Sequence, residues 1–311
     1  MDPALPGGDE DGQPCIELTP CTELWYEDGS IVLAAEGVGF KVYQMLVAQN
    51  STIFADMLAI STPQANIDSR YGCPLVHMPD PADHLRSLLL AIHDARYAHR
   101  RIDNAPCAEV IGIVSLATKY DIPHLRIRAA KRLAMWYPDS LKAWIAVRRE
   151  SVSLSPTDNR DVMNVARQCN LTSLLPVIMF ALCDRPIAEI IDASLCPQDL
   201  LLIMQGRLEL LSMQRLLPYR WLYRGNETCV TPSICNRLKE SHSHTLENNP
   251  WRQRVWTFFN PFVWANVEKS GMCKQCVADG IQTGETGRQH AWNELPAIFG
   301  LPPWNQLRRK P

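Results

Sequence analysis

The sequence predicts an α+β fold: a small β-sheet flanked by helical hairpins near the N-terminus, followed by a mostly α-helical C-terminal region. Three observations carry this prediction. The apolar run Ile31-Val32-Leu33 follows the turn residues Asp28, Gly29 and Ser30, and alternation restarts at Phe40-Lys41-Val42 after Gly37 and Gly39, the pattern of a β-hairpin. A further short run, Pro74-Leu75-Val76-His77-Met78, reads as a third strand. From Tyr137-Pro138 onward the apolar residues recur at helical spacing only.

The first twenty residues hold Asp2, Asp9, Glu10, Asp11 and Glu17 with no Lys or Arg, and read as a disordered acidic tail (1–20). After the hairpin, Gln44 to Gln49 suits a short helix. Ser51 is placed to cap the next, because its hydroxyl can satisfy an orphan amide at a helix start. Phe54, Met57 and Leu58 follow at helical spacing. Beyond the third strand, Asp80 is the expected cap of a helix carrying Leu85, Leu88, Leu89 and Ile92. Cys107 to Tyr120 forms another, with Val110, Ile113, Val114 and Ala117 on one face. A last N-terminal helix carries Ala129, Ala130, Leu133 and Trp136.

In order and spacing, Asp28, Phe40, Val42, Ser51, Phe54 and Met57 match the opening of a BTB (POZ) domain, and residues 21–137 resemble that domain throughout, especially its divergent group in mushroom-forming fungi. Tyr43 stands where the family usually has His, and Val47 where it usually has Leu. The resemblance implies homodimerisation through the first strand and helices. It also permits adaptor work, in which one face binds a cullin-type ubiquitin ligase scaffold and the rest of the chain holds a protein substrate. Phe54, Met57, Leu58 and the loop around Tyr71 are then the expected interaction surface.

Residues 138–217 read as a helical extension. One helix starts near Asp139 or Ser140, and another near Thr157 carries Val162, Val165, Ala166 and Cys169. Leu171 to Leu182 makes a third, and a Leu-rich helix runs from Leu200 to Leu211. Its stripe of Leu200, Leu201, Ile203, Met204, Leu208 and Leu211 is expected to face the core. Residues 218–311 form a Trp/Cys-rich region: six of the nine Trp fall here, and Lys plus Arg exceed Asp plus Glu by twelve to seven. Both the extension and the closing segment Trp292 to Trp304 are similar to the corresponding parts of the same fungal group.

The sharpest chemical signal is the set Cys229, Cys235, Cys273 and Cys276. A Cys-x2-Cys turn aims two thiolates at one tetrahedral metal, and four such sulfurs close a structural zinc site. Cys273 and Cys276 have that spacing, while Cys229 and Cys235 are separated by five residues. Arg237 and Lys274 are placed to favour the thiolates, and His242, His244 and His290 are substitute ligands. Three readings stay open: reduced thiols packing as small hydrophobes first, structural zinc next, a redox pair last.

The charge of −2 over 311 residues provides no global attraction for nucleic acid or acidic lipid. Arg252 and Arg254 interleave with Trp251, Trp256, Phe258 and Phe259, a short run that suits a packed core with surface arginines better than single-strand binding. No apolar run approaches a membrane span, and no secretory signal opens the chain. Membrane and nucleic acid are therefore not expected partners, and the cytoplasm or nucleus is the expected location. Phosphate-loop, Gly-x-Ser-x-Gly and His-Glu-x-x-His signatures are missing. The expectation is a non-enzymatic interaction protein. The alternative is a transcription-linked regulator whose C-terminal module binds zinc.

Overall fold

The computed structural model describes residues 17–61, 67–68, 71–93, 102–149, 154–248 and 267–308. The chain is mixed α+β and mostly helical, and it divides into two compact units, Met1–Arg132 and Leu133–Pro311. The boundary falls inside a helix, five residues before the expected 137. The helical extension and the Trp/Cys-rich region lie together in the second unit.

The first unit contains β1 (Thr19–Trp25), β2 (Ile31–Ala35), β3 (Val38–Val42), α1 (Gln44–Asn50), α2 (Thr52–Ser61), β4 (Ile67–Asp68), β5 (Cys73–His77), α3 (Ala82–His93) and α4 (Cys107–Lys119). The sheet order is β1-β3-β2-β5-β4. Strands β2 and β3 form the expected hairpin, registered from Ile31↔Val42 to Ala35↔Val38. Its two-residue turn, Glu36-Gly37, has φ of 49° and 80°. Two positive φ values are what a type I′ turn requires. Gly39, expected in the reversal, lies instead within β3, where a Cβ would come 3.0 Å from the Trp25 ring on β1. All five residues of β2 are buried, so the central strand reads as an unbroken apolar run.

Strand β1 begins inside the segment expected to be an acidic tail and pairs parallel with β3 across an irregular register. Only Leu24 of its seven residues is buried, so it carries no alternation to find. Ser51 does cap α2, accepting the Phe54 N–H at 3.0 Å while donating to the Tyr120 carbonyl at 2.5 Å. Asp80 does not cap α3. Its buried carboxylate is held by the Tyr120 hydroxyl and, at 2.6 Å, by the Lys119 ammonium. The Ala82 N–H at the start of α3 donates instead to the Glu36 carboxylate at 2.9 Å.

Helix α5 (Pro123–Trp136) crosses the unit boundary. The second unit continues with α6 (Leu141–Arg149), α7 (Pro156–Gln168), α8 (Leu175–Cys183), α9 (Ile187–Asp192), α10 (Pro197–Leu216), α11 (Pro232–Asn248), α12 (Lys274–Ile298) and α13 (Trp304–Leu307). Ser155 and Asp158 close a capping box on α7. Every residue of α8 is buried, which makes this helix the centre of the unit. Arg167 on α7 grips Asp199 on α10 through two 2.6 Å bonds. The Leu-rich stripe of α10 divides: Ile203 is buried and Leu200, Met204 and Leu211 are half-buried, whereas Leu201 and Leu208 are exposed. The expected core role therefore fails for Leu201 and Leu208.

The C-terminal segment packs onto the start of the same unit. Trp292 Nε1 donates to the Asp139 carbonyl at 3.2 Å, and its ring lies 6.2 Å from Trp144. Trp304 stacks on Trp292 at 6.0 Å and donates its Nε1 to the Trp292 carbonyl. The expected aromatic block Trp251, Trp256 and Trp264, with Arg252, Arg254, Phe258 and Phe259, lies outside the described residues.

Candidate metal centre

The four cysteines singled out by spacing come together. Their sulfurs all lie within 4.8 Å of one another, and those of Cys229 and Cys273 are 3.8 Å apart. A tetrahedral zinc with bonds of about 2.3 Å places its sulfurs about 3.8 Å apart, so the donor set and its spacing fit zinc. Every described cysteine is free of disulfides.

Local structure explains the convergence. Cys229 precedes α11, which Pro232 opens, and Cys235 sits in its first turns. Cys273 is the N-cap of α12 and Cys276 lies in its first turn. Backbone N–H groups unpaired at a helix start point toward these sulfurs, and the positive end of each helix dipole favours thiolate. The Cys273 N–H donates to Cys235 Sγ at 3.3 Å, and the Thr231 hydroxyl lies 3.2 Å from the same sulfur. The backbone N–H groups of Cys276 and then Val230 bring the Cys273 thiol down to about 6. Burial would raise Cys235, but the Cys273 N–H and the Thr231 hydroxyl bring it below the ordinary thiol value. Burial pushes Cys276 and Cys229 up.

The surroundings are apolar. Tyr219, Trp221, Leu222, Val267 and Met272 form a buried cluster with Cys235 and Cys276, and Leu238 and Val277 pack against it. Arg237 and Lys274, expected to favour the thiolates, are exposed. The buried cation is Lys239, one helical turn beyond Cys235 and only 2% exposed. It was legible as an i+4 neighbour of Cys235 on a helix, and was missed because a lysine is rarely buried. His242, His244 and His290 lie outside the four-sulfur set.

The expected interaction residues do not form one surface. Phe54 is fully buried and stacks on Tyr120 at 4.1 Å. Leu58 is 1% exposed. Both are core residues, because the α2 face that carries them packs inward, and neither can meet a partner in the folded chain. Met57 and Tyr71 are half-buried, with Tyr71 edge-on to Trp25 at 5.8 Å. The exposed apolar residues of this region are Met45 on α1 and Ile53 on α2, at 69% and 42% exposure.

Compared with protein-family models, with curated proteins and with solved structures, the chain matches none. Among the described residues, no helix is long and apolar enough to cross a membrane.

Proposed function

We propose that the chain is a non-enzymatic protein-interaction module whose second unit is stapled by a structural zinc ion on Cys229, Cys235, Cys273 and Cys276. The observation that carries the metal part is the convergence of four sulfurs, within 4.8 Å of one another, at the starts of two helices. Zinc bound there supplies a cross-link between chain segments far apart in sequence. The residues around it exclude water and orient the sulfurs, and no position is left for substrate chemistry. Thiolate ligation of this kind suits a reducing compartment, the cytoplasm or nucleus.

The interaction part rests on the resemblance of residues 21–137 to a BTB domain. It is supported by the element order of the first unit: strand, hairpin, two short helices, strand, helix pair. On this reading the chain forms a homodimer and recruits a cullin-type ubiquitin ligase scaffold, while another surface takes a protein substrate. Met45, Ile53 and Met57 replace Phe54 and Leu58 as the surface to test.

The test uses the purified full chain. Metal analysis should find one zinc per chain, light scattering a dimer mass, and titration with a cullin N-terminal region saturable binding that Met45→Glu or Ile53→Asp weakens. A zinc-loaded dimer that ignores the cullin refutes the adaptor part alone. A folded chain that neither carries nor takes up zinc refutes the metal part.

A further inference from the structure

Lys239 is an unusual residue to find inside the second unit. Its Nζ donates to the Arg224 carbonyl at 3.1 Å and lies 5.8 Å above the Trp221 ring. Among the described residues no carboxylate pairs with it. A buried ammonium with one neutral acceptor and an aromatic face is left short of negative charge. The four cysteines next to it pose the opposite problem. Four thiolates around a divalent ion carry a net charge of −2, and this set lies in an apolar shell.

We infer that Lys239 is the counter-charge of the four-cysteine centre, a positioning residue that balances the thiolates; the inference rests on the zinc reading above. The charges close. The start of α11 and the start of α12 each present about half a positive charge, and the Lys239 ammonium adds one, for a total of about +2 against −2. Geometry supports the pairing. Lys239 follows Cys235 by four residues on α11, so both side chains rise from one helix face. The Arg224 carbonyl and the Trp221 face hold the ammonium in place, and Trp221 belongs to the same buried cluster as Cys235 and Cys276. Each buried charge is thus tolerable only in the presence of the other.

The experiment is a cobalt titration of the full chain, followed by zinc back-titration against a chromophoric chelator. Wild type is compared with Lys239→Gln, Lys239→Met and Lys239→Arg. Gln keeps a donor for the Arg224 carbonyl and removes the charge, whereas Arg keeps the charge. Wild type should show the cobalt–thiolate charge-transfer bands of four sulfurs. Zinc affinity should fall about 10- to 100-fold in the neutral variants and return toward wild type in Lys239→Arg. Either neutral variant that retains the wild-type helical dichroism carries the test. A neutral variant that binds zinc as tightly as wild type overturns the inference and leaves the zinc reading intact. A wild-type chain without charge-transfer bands overturns both.

Discussion

Removing zinc from the centre should loosen the second unit by an amount that follows from where its ligands sit in the chain. Cys235 and Cys273 are 38 residues apart in sequence, and they tie the start of α11 to the start of α12. The two other links, Cys229 to Cys235 and Cys273 to Cys276, close only short loops. The long tie therefore dominates the entropy withheld from the unfolded chain. Treating it as a covalent cross-link around a loop of that size gives about 4 kcal/mol. A domain of roughly 150–250 residues shifts its melting point by about 2–4 °C per kcal/mol, so the loss is about 8–16 °C. The assay is thermal unfolding of the full chain followed by tryptophan emission, with saturating zinc or with excess chelator. Trp221 packs in the cluster beside Cys235 and Cys276, so its emission reports the affected region. The paired variant Cys273→Ser/Cys276→Ser should melt like the chelated wild type and should not respond to chelator. Loaded and chelated proteins that melt within about 2 °C of each other would show that the four sulfurs are only packed thiols.

Three other outcomes are expected. Phe54→Ala should cost the first unit about 3–5 kcal/mol in urea unfolding, because the ring is fully buried and stacked on Tyr120, while Met57→Ala should cost far less; equal effects would contradict the described packing. His93 should make the first unit acid-sensitive. Its Nδ1–H donates to the Leu89 carbonyl at 2.9 Å and its Nε2 accepts the Tyr43 N–H at 3.3 Å, so only the neutral ring fits, and burial lowers its pKa below the ordinary 6.5. Its contribution is therefore complete above 6.5 and lost as pH falls through the lower folded value. His93→Gln should flatten that part of the stability-versus-pH curve, and an unchanged curve would reject the assignment. Gly206→Ala should destabilise the second unit by about 1–3 kcal/mol, since the new Cβ runs into the Phe299 ring; a neutral result in denaturant titration would mean the ring moves freely aside.

Much of this architecture was legible in advance, for identifiable reasons. The β2–β3 hairpin announced itself through an apolar run, a glycine turn and resumed alternation, because a strand buried on both faces leaves a dense apolar signature. Ser51 was legible because capping is local chemistry, settled within three residues. The four cysteines were legible as a set because a Cys-x2-Cys turn aims two sulfurs at one point, and the structure brings all four within 4.8 Å. What escaped depended on partners far away in sequence. Strand β1 exists through a parallel ladder to β3 and buries almost nothing of its own. The cap of α3 is Glu36, 46 residues earlier, while the local candidate Asp80 is claimed by Lys119 and Tyr120 from 39 and 40 residues later. The division of the α10 stripe was hidden because one leucine looks like another until neighbouring helices take a side.

The Trp292 bond to Asp139 spans 153 residues, and its consequence appears during synthesis. A ribosome adds about 5–20 residues per second, so tens of seconds at the slowest rate separate the emergence of α6 from that of its last packing partner. Through that interval α8, apolar along its whole length, waits without the α12 tryptophan that reaches Trp144 beside Phe180. A message cut short anywhere before Trp292 releases a polypeptide with that seam open. Chains terminated before Trp292 should therefore be removed by quality control instead of persisting as shortened but working protein.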